Sequence, residues 1–114
     1  MPKKVIVVDD DVGVLPVITD MLQDLGCDAQ AVRSPTQAFV KLATDPGIEM
    51  LIADINMPGL TGYDLAEKVK QIRPDVKVVL VSGRVEEDKE YPVLRKPFMR
   101  ADLAQVMERT TGVC

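Results

Sequence analysis

The sequence predicts an α/β domain built on a doubly wound, five-stranded parallel sheet with helices on both faces. Short, nearly continuous apolar runs alternate with longer segments whose apolar residues recur at helical spacing. This alternation is typical of parallel strands that helices cover on both faces. A length of 114 residues fits one domain with a full core, so we treat residues 1–114 as a single unit.

The individual elements follow from local chemistry in chain order. Five apolar runs are too short for helices and are predicted strands: Lys4–Asp9, Cys27–Val32, Glu49–Asp54, Val76–Ser82 and Pro92–Arg95. Helical periodicity covers four segments: Val14–Leu25, Pro35–Ala43, Tyr63–Ile72 and Arg100–Thr110. Gly26 ends the first helix, Ser34 caps the second, and Pro74 stops the third. One more helix is predicted between the last two strands, which gives about five helices in total.

Composition excludes several classes of function. The formal net charge is −4, from 14 basic and 18 acidic residues without a basic run, which argues against nucleic-acid binding. No apolar run approaches the roughly 18 residues of a membrane span, so we expect no membrane association and a cytoplasmic protein. In the cytoplasm, Cys27 and Cys114 are expected to stay thiols. Histidine is absent, which excludes Ser-His-Asp and Cys-His catalysis and histidine-bound zinc.

The predicted strands end in polar residues at one edge of the sheet. In chain order these are Asp9-Asp10-Asp11, Asp54, Ser82 and Lys96. Taken singly, Asp11 is a helix N-cap, Ser82 a helix cap and Lys96 a solvated charge. Ligand sites of open parallel sheets, however, lie beyond the carboxyl ends of the strands, where all of these residues would meet.

The chemistry of that group points to phosphoryl transfer. An acidic, oxygen-lined pocket without histidine or cysteine suits Mg²⁺. A carboxylate beside Mg²⁺ and Lys96 is a nucleophile for a phosphoryl group, whose oxygens the cations neutralise and the Ser82 hydroxyl binds. The product would be an acyl phosphate on an aspartate. Residue chemistry alone leaves open which aspartate.

Four motifs carry a family resemblance. They are VVDDD at the first strand, LIADINMPGLTGYDL around Asp54, VVLVSGR around Ser82 and VLRKPF around Lys96. Together they resemble the receiver domain of two-component response regulators, from Lys4 to about Met107. The resemblance implies the flavodoxin-like fold of CheY-like proteins.

The resemblance also implies roles for the site residues. Asp54 would be the phosphoacceptor, and Ser82 and Lys96 would bind the phosphoryl oxygens. The implied protein ligands of Mg²⁺ are Asp9 (largely through water), Asp10, Asp54 and the backbone carbonyl of Asn56. The Lys96-Pro97 peptide bond would be cis.

By the same resemblance the chain is a signalling phosphoacceptor that catalyses only its own phosphorylation and dephosphorylation. A histidine kinase or histidine phosphotransfer domain would supply the phosphoryl group, and altered docking to a downstream protein would be the output. The expected contacts of the phosphodonor are Val14, Leu15, Pro16 and Ile18, with Pro97, Phe98 and Met99 as a second set.

Two alternatives stay open. DDDVGVL also resembles the motif of haloacid-dehalogenase-type phosphatases, with Asp9 as nucleophile and Asp11 as acid/base. That family needs an acidic pair beyond its lysine, whereas here only Asp102 and Glu108 follow Lys96, both on an amphipathic helix. The second alternative is a receiver-like module that binds partners without phosphorylation.

The sequence departs from the receiver pattern between Ser82 and Lys96. Val93 stands three residues before Lys96, where receivers usually carry an aromatic residue, and Tyr91 is out of register. Thirteen residues must hold the fourth helix and the fifth strand, so we expect that helix to be short, frayed or absent and the protein to be a monomer.

Two further residues flank the point where attacking water would enter. They are Asn56 and Arg84, which we expect to tune the lifetime of the phosphoryl group.

Overall fold

The computed structural model describes residues 3–57, 59–84 and 90–110. The elements in chain order are β1 (Lys4–Val8), α1 (Val14–Asp24), β2 (Asp28–Val32), α2 (Pro35–Thr44), β3 (Ile48–Asp54), α3 (Gly62–Ile72), β4 (Lys77–Ser82), β5 (Val93–Arg95) and α4 (Arg100–Thr110). The strands form one parallel sheet in the order β2-β1-β3-β4-β5. Every one of these elements begins and ends within one residue of its prediction, and the doubly wound α/β fold is confirmed.

The central strands β1, β3 and β4 are buried on both faces because they are apolar at successive positions. In β1, Val5 and Val7 point to the layer of α1 and α4, while Ile6 and Val8 point to the layer of α2 and α3. All four side chains are almost fully buried. This two-sided burial explains why the strands read as continuous apolar runs rather than alternating ones.

The strand order creates a crevice at one edge of the sheet. From β1 the chain winds first to β2 on one side and then back to β3 on the other, so the connections diverge above β1 and β3. Val8 is paired with Ala53, and Asp54 with Val81. This register brings the residues that follow β1 and β4 to the level of Asp54.

Local chemistry predicts the N-cap of α2 correctly, whereas the N-cap of α1 lies at Gly13 and not at Asp11. Ser34 accepts a hydrogen bond from the Gln37 amide at the start of α2. Before α1, the Asp11 carboxylate accepts from the Gly13 amide, while Gly13 itself holds the N-cap position. The prediction that Asp11 is the N-cap is therefore wrong by two positions, because its carboxylate binds the amide of the N-cap residue and shapes the turn before the helix.

Two sequence predictions are not confirmed, one because it falls outside the described residues and one because it is wrong. The predicted fourth helix falls largely on residues 85–89, outside the described ranges; residues 83–84 and 90–92 on either side are not helical. Cys27 is disulfide-bonded, so its expected thiol state is wrong: that expectation came from the compartment, not from local geometry. The other cysteine of the sequence, Cys114, lies outside the described ranges.

Within residues 3–57, 59–84 and 90–110, no helix has the length and apolar character that crossing a bilayer requires. The predicted cytoplasmic location stays a prediction.

Candidate functional site

The carboxyl edge of the sheet gathers the predicted polar residues. Asp9 follows β1, Asp54 ends β3, Ser82 ends β4, and Lys96 follows β5. Asp9, Asp54 and Ser82 are buried, with exposed fractions of 1%, 7% and 0%, whereas Asp10 is exposed. The apolar strands therefore hold three polar side chains where water barely reaches them, beside one carboxylate that faces solvent.

Three carboxylates form a cluster at this edge. One oxygen from each of Asp9, Asp10 and Asp54 lies within 4.8 Å of the others. Asp9 accepts a hydrogen bond at Oδ1 from the Asp11 amide at 2.9 Å, and Asp54 accepts at Oδ1 from the Asn56 amide at 3.2 Å. Each buried carboxylate is thus fixed at one oxygen by the amide two residues downstream, and its second oxygen is left for other partners.

Lys96 lies between the second oxygens of the two buried carboxylates. Its Nζ is 2.7 Å from Asp9 Oδ2 and 3.5 Å from Asp54 Oδ2. The Lys96 amide donates to the Ser82 carbonyl at 2.7 Å, which continues the pairing of β4 with β5 up to the site. The Lys96-Pro97 peptide bond is cis, as predicted.

The electrostatics of the site show an excess of negative charge. Burial raises the pKa of Asp54, and the charge of Asp9 raises it further against the opposing effects of the Asn56 amide and Lys96. Burial alone would lower the pKa of Lys96, but its hydrogen bond to Asp9 and the attraction of both carboxylates leave that pKa above its ordinary value. One ammonium thus faces three carboxylates, an arrangement that favours a second cation.

Ser82 presents a buried hydroxyl beside this cluster. The Ile55 amide donates to the Val81 carbonyl at 2.9 Å, so the ends of β3 and β4 stay paired at the level of Asp54. Ser82 Oγ accepts from the Arg84 amide at 3.0 Å and keeps its own proton for donation. The hydroxyl is therefore available to an anionic oxygen.

The donor set fits a hard divalent cation. All the candidate groups are oxygens, two of the three carboxylates are buried, and the exposed Asp10 leaves a side open to water. Mg²⁺ prefers this combination of carboxylates and retained water. Asp9, Asp10 and Asp54 would hold it; the role of the Asn56 carbonyl stays a prediction.

A groove of about 340 Å³ opens beside Lys96. It is lined by Gly13, Val14, Val17, Ile18, Met21, Lys96, Pro97 and Phe98. Of the predicted docking residues, Leu15 is instead buried in the core, Pro16 is exposed outside the lining, and Met99 is 71% exposed. Of the predicted contacts, Val14, Ile18, Pro97 and Phe98 therefore line the apolar groove, and the others do not.

Sequence reasoning missed two contacts of α3. Gly62, the first residue of α3, lies against the backbone of Asp54 and received no role. Tyr91 donates to Glu67 of α3 at 2.9 Å. The glycine-rich motif after Asp54 did mark the first feature, but a motif does not say whether a glycine is needed for conformation or for space.

Comparisons with known proteins agree with the fold. The family model described as response regulator receiver domain matches residues 5–108. The chain is 29% identical to the DNA-binding transcriptional regulator NtrC of Azospirillum brasilense, over 92% of this chain and 23% of that protein. It is 27% identical to the response regulator receiver protein CpdR of Brucella abortus, over 94% of this chain and 95% of that protein.

Solved structures show the same architecture. A response regulator receiver domain protein from Clostridium thermocellum superimposes with a TM-score of 0.84 at 26% identity, over 94% of this chain and 92% of that one. Vibrio cholerae CheY4, at 22% identity, superimposes with a TM-score of 0.85 over 96% and 98% of the two chains, which shows the shared fold. The family match covers most of the chain, so this protein belongs to the response regulator receiver domain family. It is a signalling domain of the two-component type.

Proposed function

We propose that this receiver domain accepts a phosphoryl group on Asp54. The observation that carries the proposal is the arrangement around Lys96, whose ammonium contacts the second oxygens of both Asp9 and Asp54. The first oxygen of each carboxylate is held by a backbone amide. Asp54 is thus oriented at the end of β3 beside a cation and a hydroxyl, as an in-line attack on phosphorus requires.

Each residue then has a defined task. An oxygen of Asp54 forms a bond to phosphorus while the donor nitrogen–phosphorus bond breaks, and the donor imidazole leaves with the bonding electrons and takes up a proton. Lys96 and Ser82 bind oxygens of the transferred group. Asp9, Asp10 and Asp54 would hold Mg²⁺, which would further neutralise the phosphoryl charge. The burial of Asp54 and Ser82 limits access of water to the acyl phosphate.

The partners follow from the donor chemistry and from the groove. We propose that a histidine kinase or histidine phosphotransfer domain docks on the apolar groove, because its lining includes Lys96 itself and the adjoining α1. Apolar contact area there would hold a phosphohistidine close to Asp54. The output would be altered docking to a downstream protein, by a monomeric domain that engages neither nucleic acid nor membrane.

The phosphatase alternative fits the geometry poorly. Asp9 is almost fully buried, and its Oδ2 accepts a hydrogen bond from Lys96 at 2.7 Å, whereas Lys96 lies 3.5 Å from Asp54 Oδ2. Asp11, its proposed acid/base, accepts from the Gly13 amide in the turn before α1. Neither residue is therefore poised for the roles that this alternative gives it.

Intact mass after incubation with Mg²⁺ and phosphoramidate or acetyl phosphate tests the proposal. The wild type is expected to gain one phosphoryl group, in a reaction that requires Mg²⁺. Asp54→Asn is expected to gain none, while Asp28→Asn, a matched change at an exposed aspartate of β2, behaves as wild type.

The other outcomes identify the alternatives. An adduct that survives in Asp54→Asn but is lost in Asp9→Asn, together with turnover of a phosphomonoester, would establish the phosphatase. A protein that forms no adduct and does not bind BeF₃⁻ with Mg²⁺ would be the phosphorylation-independent module.

A further inference from the structure

The first residue of α3 is packed against the backbone that carries Asp54. A Cβ on Gly62 would lie 2.6 Å from the carbonyl oxygen of Asp54, 3.0 Å from its carbonyl carbon and 3.0 Å from Ile55 Cα. Contacts under 3.0 Å essentially never occur for real Cβ atoms, and the atoms met here belong to the backbone. A backbone cannot rotate away as the tip of a flexible side chain can, so an added methyl group must displace the strand end or the helix.

Neither side of this contact is free to yield. On the helix side, the Gly62 amide donates to the Ile55 carbonyl at 3.0 Å, and Thr61 and Asp64 form a capping box around the first turn. The buried residues Leu65, Ala66 and Val69 fix the rest of α3 in the core. On the sheet side, the Ile55 amide donates to the Val81 carbonyl.

Space, not backbone conformation, is what position 62 requires. Gly59, in the same loop, has φ of +81° and nothing within 4 Å of an added Cβ. Gly62 has no positive φ and instead lies in close contact. The two glycines that follow Asp54 therefore serve different needs, and only Gly62 touches the phosphoacceptor's own backbone.

A displacement at this contact reaches the site directly. Asp54 Oδ1 accepts its hydrogen bond from the Asn56 amide, and Gly62 packs on the Asp54–Ile55 peptide, which lies within that turn. Moving that peptide changes both the direction of the Asp54 carboxylate and the placement of Asn56. We propose that Gly62 is a positioning residue, whose missing side chain lets α3 seat on the strand end and thereby sets the geometry of the Asp54 carboxylate for metal and phosphoryl binding. The inference rests on the function proposed above.

The test compares Gly62→Ala with Val69→Ala, which removes buried apolar contacts at the far end of the same helix. Calorimetric titration with Mg²⁺ measures affinity, and urea unfolding without Mg²⁺ measures stability. Both variants are expected to lose stability. Gly62→Ala is expected to bind Mg²⁺ about tenfold more weakly, within the range found when groups that orient metal ligands are changed, whereas Val69→Ala stays within about twofold of wild type.

A readout that needs no metal separates this inference from the proposed function. The amide proton of Asn56 reports its hydrogen bond to Asp54 by NMR chemical shift and hydrogen exchange. That bond is expected to weaken in Gly62→Ala and to persist in Val69→Ala, whether or not the wild type binds Mg²⁺. Failure of the wild type to bind Mg²⁺ would count against the proposed function alone. Gly62→Ala with wild-type affinity and an unchanged Asn56 amide would overturn the positioning role.

A second pair of variants covers the case in which Gly62→Ala does not fold. Thr61→Ala removes the hydroxyl that caps α3 at the Asp64 amide, and Ser34→Ala removes the equivalent cap of α2 at Gln37, both bonds being 3.2 Å long. Looser seating of α3 is expected to weaken the Asn56 hydrogen bond and Mg²⁺ binding in Thr61→Ala only. Equal behaviour of the two cap variants would contradict the proposal.

Discussion

Both ends of α3 are held to the neighbouring segments through backbone groups, whereas the segment that leads into β5 is joined to α3 through side-chain contacts. At one end the Gly62 amide donates to the Ile55 carbonyl. At the other end the Arg73 side chain donates hydrogen bonds to backbone carbonyls around the loop between α2 and β3. The start of β5, by contrast, is joined to α3 by an ion pair between Lys70 and Glu90, both about half exposed, and by the Tyr91–Glu67 hydrogen bond.

The difference shows which parts of the fold are attached by strong contacts and which by weak ones. Exposed ion pairs contribute on the order of 0–1 kcal/mol and weaken with salt, while buried backbone groups that lose a partner cost more. The strong attachments lie on the elements next to Asp54. The weak ones lie next to the region where the sequence departs from the receiver pattern.

The largest expected effect is at Arg73. Its side chain is 13% exposed and donates to the carbonyls of Leu42, Asp45, Pro46 and Ile48, at 2.9, 2.9, 3.3 and 2.7 Å. Arg73→Ala leaves these carbonyls without that partner and is expected to cost about 3 kcal/mol of unfolding free energy in urea, at the upper end for hydrogen bonds to a charged group.

Arg73→Lys is the control for charge. It keeps the cation but not the planar fork, so it is expected to recover only a minor part of the loss. Full recovery by lysine would mean that charge, and not the shape of the guanidinium, secures this end of α3.

A smaller effect is expected at Tyr91. Tyr91→Phe removes the hydroxyl that donates to Glu67 and is expected to cost about 1 kcal/mol of unfolding free energy, the usual net value of one hydrogen bond. Glu67→Gln keeps an acceptor and should cost less. Mg²⁺ affinity is expected to stay at the wild-type value in both variants. A large drop in that affinity for Tyr91→Phe would show that the segment before β5 is coupled to the site. The contrast between this segment and α3 would then be wrong.

The smallest effect is expected at the partly exposed pair of Lys4, in β1, and Asp45, on the loop between α2 and β3. The hydrogen bond from Lys4, followed by that from the Gly47 amide, lowers the pKa of Asp45 below 3.8. Because the folded state favours the carboxylate, its contribution to stability is present above pH 3.8 and is lost as the pH falls through the lowered pKa.

Asp45→Asn is therefore expected to be slightly less stable than wild type at neutral pH and equally stable in acid. Urea unfolding across this pH range, at low and high salt, measures the difference. A deficit that persists below the pKa would assign the effect to packing instead of charge.

The positions of the strands and of the polar site residues could be predicted from the sequence because each rests on a local signal. A short apolar run that ends in aspartate marks the carboxyl end of a buried strand, and parallel topology brings such ends together. Asp9, Asp54 and Lys96 meet for that reason. Asp11 does lie before α1, where the turn chemistry of aspartate is also local, but Gly13 and not Asp11 holds the N-cap position.

The remaining features depend on contacts between distant parts of the chain. Arg73 precedes a proline and looks like a simple helix end, yet its partner Leu42 is 31 residues away. Gly62 and Gly59 are the same residue in one motif, and only the fold shows that the first needs space and the second a positive φ. The bond state of Cys27 likewise had no local signal.

The shape of the sheet has a consequence for the behaviour of the protein at high concentration. Its outer strands are β2, of five residues, and β5, of three. β5 ends in the exposed cation of Arg95, and β2 begins with the exposed carboxylate of Asp28. Short edge strands with charged ends present few unpaired amide and carbonyl groups to which a strand of a neighbouring molecule could pair. Both edge strands therefore resist edge-to-edge aggregation, while the central strands carry the apolar core.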